Sequence, residues 1–452
     1  MHIKTLTIKN WKSIEETHID FENFLLFIGQ SNHGKSNILS AILLFFDKIT
    51  FKNKHSYHMN TPTELILTFD SLRLKELNVF KNIKNSEDEI VIKKVLSSDK
   101  KEYFYKKNNN EFQPLSKHLE YYIRENIEII FVPSFSASSN KTILDIYEKI
   151  ILVLSNNNKL VYVEKLIEKL DLEMQYLEER YASRGLQREV MFRIMRKIAS
   201  VTKSTRYNLL GNTIIMYEEP ELYLHPQAER ELHSVMTNIS RYGGQIYVTT
   251  HSSSFIELNN YKSICLVRKN DDGTHVMQHK GDLFKGDEIK NFNMNYWMNP
   301  DRGELFFAKK VILVEGQTDK IIIPFLAKKL GVYKYEYSIV ECGSKSSIPQ
   351  FIRLLNQYKI PYVAVYDKDE HLWRDEETRL VSRRQNKGIR RLISKKIGEI
   401  VEFTNDIEEE LEGKDRVKKN YRHKPFTAIK NISSNSYIVP DELKKKILKI
   451  YK

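Results

Sequence analysis

Met1 to Glu22 alternates apolar and polar residues (HIKTLTIKNW, then THIDFEN), the period-two signature of a half-exposed antiparallel hairpin. Phe24 to Ile28 (FLLFI) is apolar throughout, as a strand buried on both faces must be, and Asn37 to Phe46 (NILSAILLFF) reads as a helix. Alternating or apolar stretches at Leu65 to Asp70, Glu89 to Leu96, Lys101 to Tyr105 and Ile127 to Pro133 predict an accompanying antiparallel sheet. From 141 to 200 the period becomes helical without a proline, which predicts an arm of two helices turning at Asn156 to Asn158. Thr213 to Tyr217 and Gly244 to Val248 read as buried strands. Asp271 to Arg302 is polar and irregular. Beyond Leu305, strands ending at Glu315, Cys342 and Asp367 alternate with helical segments such as IPQFIRLLNQY, the pattern of a small parallel α/β domain. The expected organisation is therefore a first domain over 1–270 carrying the arm, a linker over 271–304 and a second domain over 305–452.

Composition narrows the class. At 452 residues the chain exceeds one ordinary core. No apolar run is long enough to span a bilayer, and the opening MHIKTL begins a strand rather than a leader. Two cysteines, Cys265 and Cys342, make neither a disulfide framework nor a zinc site, which points to a reducing cytoplasm with no membrane role. A net charge of +13 suggests a polyanionic partner, although a lysine-rich composition alone can produce it.

Gly29 to Ser36 (GQSNHGKS) fits GxxxxGK[ST] between the apolar strand and the helix. In that context Gly29, Asn32 and Gly34 shape a phosphate cradle. Lys35 reaches the terminal phosphates, Ser36 holds Mg²⁺, and Asn37 opens the helix whose N-terminus faces the anion. Thr213 to Tyr217 delivers Glu218 and Glu219 to a strand's C-terminal edge, where one carboxylate can serve the Mg²⁺ shell and the other orient the attacking water. Glu218 is assigned the metal and Glu219 the water. Ser183 to Gln187 (SRGLQ) resembles the LSGGQ signature of ABC-type ATPases at Ser183, Gly185 and Gln187, and His251 resembles the switch histidine of that superfamily. The resemblance implies ATP bound between two heads of a homodimer or higher oligomer.

In the second half, KKVILVEGQTD stops a strand at Glu315 and places Asp319 after a glycine turn. PYVAVYDKDE ends another strand in Asp367 and Asp369. Carboxylates gathered at one sheet edge need cations, and oxygen ligands without His or Cys select Mg²⁺ or Mn²⁺. A basic run, Arg383, Arg384, Lys387, Arg390, Arg391, Lys395 and Lys396, suits a groove that tracks DNA phosphates without reading bases.

The EG…D and DxD pattern, with GSKSS between, resembles the Toprim domain. An ABC-type (SMC/RecF-like) ATPase head followed by Toprim resembles the OLD (overcoming lysogenization defect) family of nucleases, which includes the Gabija nuclease. The resemblance implies an ATP-regulated, divalent-metal-dependent DNA endonuclease in anti-phage defence or DNA processing, working with ATP, one Mg²⁺ beside it and two at the Toprim centre, and with a possible defence partner protein. It further implies Glu315, Asp319, Asp367 and Asp369 as metal ligands, Asp406 or Glu408 completing the second site, and Lys424 as the transition-state cation. The rival reading is a DNA-binding repair ATPase whose Toprim fold is a non-cutting scaffold.

Overall fold

The computed structural model describes residues 1–107, 111–134, 140–157, 161–178, 184–256, 258–283, 300–371, 374–412, 429–430, 432–434 and 436–452. They separate into two compact units: Met1–Ile256 with Asn260–Gln278, and a second built on His279–Lys452. Among the described residues no helix is long and apolar enough to cross a membrane.

In the first unit β1 (His2–Trp11) and β2 (Ile14–Asp20) form the opening hairpin, and β3 (Phe24–Ile28) leaves it for a different sheet. Then come α1 (Lys35–Phe45), β4 (Thr63–Asp70), α2 (Leu74–Val79), β5 (Ile90–Leu96), β6 (Lys101–Lys106), β7 (Phe112–Pro114), α3 (Lys117–Asn126) and β8 (Glu128–Val132). The arm is α4 (Asn140–Asn157), α5 (Val161–Glu178) and α6 (Arg184–Thr205). β9 (Thr213–Glu218), α7 (Pro226–Arg241), β10 (Gln245–Thr250), β11 (Ile264–Asn270) and β12 (Gly273–Gln278) complete the unit.

The antiparallel sheet runs β2-β1-β4-β5-β6-β7 and the second sheet β12-β11-β3-β10-β9-β8, parallel except at the β11/β12 edge. Their burial patterns differ as these environments require. β4 and β5 alternate buried and half-buried positions, whereas all of β3 and β10 is buried because layers cover both faces.

Three expectations need correction. Ile127 to Pro133 does not join the antiparallel sheet: β8 pairs parallel with β9, because its apolar EIIFV core can be covered on both sides. The arm has a third helix, α6, beyond the two expected. The linker begins later than residue 271, since β12 pairs antiparallel with β11 and belongs to the nucleotide-type sheet. Of the remaining linker, 284–299 lies outside the described residues.

The second unit contains β13 (Lys310–Val314), α8 (Gln317–Lys329), β14 (Tyr337–Glu341), α9 (Ile348–Gln357), β15 (Tyr362–Asp367), α10 (Glu376–Leu392), β16 (Gly398–Phe403), α11 (Ile407–Glu412) and α12 (Asp441–Ile450). Its sheet, β14-β13-β15-β16, is parallel throughout. Ile322, Ile323 and Leu326 of α8 and Leu443, Ile447 and Ile450 of α12 share a core with Val314, Val363 and Val401. Parallel pairing brings every strand's C-terminus to one edge, so residues far apart in sequence end side by side.

Candidate functional site

In the first unit the loop between β3 and α1 has the backbone that a phosphate cradle needs. Gly29, Asn32 and Gly34 all have positive φ (145°, 63° and 99°). A Cβ on Gly29 would lie 2.2 Å from the Val267 carbonyl oxygen, so only glycine lets β11 approach the loop this closely. Lys35 is buried and donates from Nζ to the carbonyls of Gly29 (3.0 Å) and Gln30 (3.1 Å), while His251 Nε2 lies 2.8 Å from the same ammonium. Burial pushes the Lys35 ammonium down to about 8, with Glu219, Glu221 and Glu218 pulling it back up. Burial and the Lys35 charge lower His251 as well, which favours a neutral imidazole whose Nε2 accepts the Lys35 hydrogen bond.

Glu218 closes β9 and its Oε2 accepts the Ser134 N–H (3.2 Å). Glu219 turns off the strand at φ 44° and its Oε1 lies 3.4 Å from His251 Nε2. Lys35, Glu219 and His251, taken from three separate chain segments, therefore meet at one place. Ser36 is exposed at the start of α1, and the Asn37 amide donates to Ser13 Oγ (2.7 Å). Glu221, which sequence reasoning passed over, accepts the His251 N–H (2.7 Å) and sets the histidine's backbone. Its signal lay in the EEPELYLHP segment, where a third carboxylate follows the pair after one proline. Arg188 was missed too: fully buried in α6, it donates to the carbonyls of Pro133 and Glu218 and stacks on Tyr217.

Of the signature residues, Ser183 lies outside the described residues. Gly185 sits half-buried in the first turn of α6. Gln187 is only 2% exposed, so the structure does not present it on a surface that a second head could reach. Its helix phase turns it inward.

In the second unit the carboxylates converge. Glu315 follows β13, and its Oε1 accepts the backbone N–H of Asp367 at the end of β15 (2.8 Å). Asp319, in the first turn of α8, accepts the Gly316 N–H (3.2 Å). Burial holds the Asp367 carboxyl well above the usual carboxylate range, reinforced by the charges of Asp319, Glu315, Asp369 and Asp406. Its Oδ1 is buried without a hydrogen-bond partner among the described residues. An orphaned buried carboxylate oxygen amid four further acidic groups is the donor set that a hard divalent cation fits.

A lysine stands inside this acidic cluster. Lys345, from the GSKSS turn after β14, is 6% exposed. Its Nζ donates to the Asp367 carbonyl and to Asp369 Oδ2 (each 2.5 Å), and Glu315 Oε1 lies 3.7 Å away. Asp369 is held on its other oxygen by Arg374 (2.9 Å). The sequence displayed this lysine in GSKSS, but only the β14–β13–β15 order aims it at the acids.

Asp406 caps α11, accepting the Glu409 N–H (2.8 Å). Buried His371 places Nδ1 2.8 Å from Glu409 Oε1 and Nε2 3.5 Å from Asp406 Oδ2. The loop after DxD thus folds a histidine onto the acids that follow β16, a grouping apart from Glu315, Asp319, Asp367 and Asp369 that the sequence reading did not anticipate. Glu408 is buried but stands outside the His371, Asp406 and Glu409 group, and Asp406 is the one whose charge bears on Asp367. Lys424 lies outside the described residues.

Arg383, Arg384, Lys387, Arg390 and Arg391 are exposed on α10, and at about 100° per residue they span an arc of about 120°. The opposite face holds Ser382, Asn386 and Ile389, and the Asn386 amide donates to the Lys368 carbonyl inside DKD (3.1 Å). The basic helix is thereby tied to the acidic loop. Arg390 is engaged with Glu402 (2.5 Å) and Arg383 faces Glu370 (3.8 Å), while Lys395 and Lys396 are exposed beyond the helix end.

These two units define a P-loop ATPase domain followed by a Toprim domain. Residues 1–143 and 131–256 match the AAA ATPase domain family, and residues 306–369 match the overcoming lysogenization defect protein-like TOPRIM domain. The chain belongs to the AAA ATPase domain family, whose model covers more than half of it, and its Toprim part is similar to that of OLD nucleases. It is 32% identical to the OLD nuclease of Thermus scotoductus over 40% of this chain and 36% of that protein. It is 27% identical to the Old nuclease of Escherichia phage P2 over 41% and 32%. Against endonuclease GajA of Bacillus cereus identity is 22% over 92% of this chain and 82% of that protein. The match thus spans about a third of the length of the first two relatives. An SMC head bound to the winged-helix domain of ScpA superposes with a TM-score of 0.40 at 15% identity, over 62% of this chain and 98% of that structure.

Proposed function

We propose that this chain is a DNA endonuclease whose phosphodiester hydrolysis takes place at the Toprim carboxylates and is controlled by ATP at the P-loop. The observation that carries the reading is the convergence of Glu315, Asp319, Asp367 and Asp369 at one sheet edge, with the Asp367 Oδ1 buried and unpartnered. The nuclease names of the relatives support it.

Glu315, Asp319 and Asp367 would hold one ion, and Asp367 with Asp369 and Asp406 a second. Divalent cations there supply Lewis-acid activation of water and neutralise charge on the scissile phosphate. The chain's own residues do the rest. Asp319 is oriented by the Gly316 N–H and Glu315 by the Asp367 N–H, so the ligands are set before substrate arrives. Arg384, Lys387 and Arg391 follow the DNA backbone along the free face of α10. At the P-loop, Lys35 and Ser36 serve the phosphates and Mg²⁺, Glu218 the metal shell and Glu219 the water, with His251 beside them. Two heads joined through ATP, a cytoplasmic setting and a role in phage defence complete the proposal.

The test is incubation of the full chain with supercoiled plasmid and Mg²⁺ or Mn²⁺, with and without ATP, repeated with Asp367→Ala and Lys35→Ala. Nicking that Asp367→Ala abolishes supports the nuclease. ATP hydrolysis without nicking at any metal concentration overturns it in favour of the repair-ATPase reading.

A further inference from the structure

We propose that Lys345 is a catalytic-site cation: its ammonium competes with divalent ions for Glu315 and Asp369, and, when those oxygens are taken, turns to the phosphodiester. The inference rests on the nuclease reading and adds to it a residue that neither the DxD pattern nor the P-loop assigns.

The geometry carries it. A lysine 6% exposed is rare unless paired, and Lys345 is paired with the very groups that would bind metal. Asp369 Oδ2, at 2.5 Å from Nζ, shares its negative charge with the ammonium and is a weaker ligand for a divalent ion while that contact is kept. Glu315 Oε1 is 3.7 Å from the same nitrogen and also receives the Asp367 N–H. Arg374 keeps Asp369 anchored through Oδ1 when Oδ2 changes partner, so exchange needs no movement of the loop. The ammonium is a compact point charge on a flexible four-carbon stem, suited to swing a short distance to the nearest anion. With the carboxylates neutralised, that anion is the phosphate of bound DNA. A cation placed at the developing phosphorane charge is worth most where water is excluded.

Mn²⁺ titration calorimetry on the full chain without DNA, followed by plasmid cutting at saturating Mn²⁺, separates the two roles. Lys345→Met should bind Mn²⁺ about tenfold tighter or more, since one competing charge is gone, and cut at least about 100-fold more slowly. Lys345→Arg should keep the wild-type's weaker Mn²⁺ binding because the charge remains. Circular dichroism verifies folding, and Lys345→Gln replaces the Met variant if that one unfolds. Equal or weaker Mn²⁺ binding by the uncharged variant overturns the proposal whether or not the wild type cuts, as does unchanged cutting at saturation. A wild type that cuts nothing overturns the nuclease reading and the phosphate role with it, while tighter Mn²⁺ binding by Lys345→Met would still support the competition.

Discussion

Glu315 and Asp367, 52 residues apart in the chain, are joined by one hydrogen bond, from the Asp367 backbone N–H to Glu315 Oε1 over 2.8 Å. It exists because β13 and β15 are parallel neighbours, in register from Val311 opposite Tyr362. A strand-end carboxylate thereby braces the backbone of the next strand's end, and both residues lie at the C-terminal edge of the sheet.

Removing one charge from this crowd should help the fold and end the chemistry. Asp367→Asn is expected to melt a few degrees higher than wild type in EDTA, because it relieves repulsion from Asp319, Glu315, Asp369 and Asp406. Plasmid cutting should fall by at least about 100-fold. Differential scanning calorimetry with a nicking assay reads both, and a lower melting temperature would contradict the electrostatic account.

At the P-loop, Glu219→Gln keeps the volume and removes the charge. ATP hydrolysis should drop about 100-fold or more while nucleotide binding, followed by fluorescent-analogue titration, changes little. Loss of binding instead would place Glu219 in the cradle rather than beside the water.

The exposed cations of α10 make a salt-dependent prediction. Replacing Arg384, Lys387 and Arg391 together with Gln should lower the slope of log affinity against log salt by about 2 to 3, with no change in preference between DNA sequences. Arg390→Gln should change it less, since Glu402 already holds that guanidinium. Fluorescence anisotropy across a salt series measures both.

Asp47 tests a purely structural network. Its carboxylate meets Lys94 (2.7 Å), Lys101 (2.5 Å) and Arg124 (2.6 Å), and these partners outweigh burial to hold it below the usual carboxylate range. A depressed folded pKa contributes stability that is complete above the unfolded value, about 3.9, and lost as pH falls through the folded one. Asp47→Asn should therefore cost about 2 kcal/mol at pH 7, leaving fully buried Lys94 without its anion, and progressively less below pH 4. Urea unfolding at pH 7 and pH 3 checks the sign.

Much of this protein was legible in the residues themselves. Local rules decide a strand, glycine turn and helix, so GQSNHGKS could be placed on sight, and the apolar runs before Glu218, Glu315 and Asp367 fixed those acids at strand ends. Spacing could not say which strands are neighbours. Strand order put β8 beside β9, extended the second sheet to β12 and aimed Lys345 into the acids, while tertiary packing buried Gln187 and folded His371 onto Asp406 and Glu409. The physical reason is range. Periodicity and turn chemistry act over a few residues and are written in the chain, whereas strand pairing and the meeting of buried charges depend on contacts between distant segments, which only the tertiary fold decides.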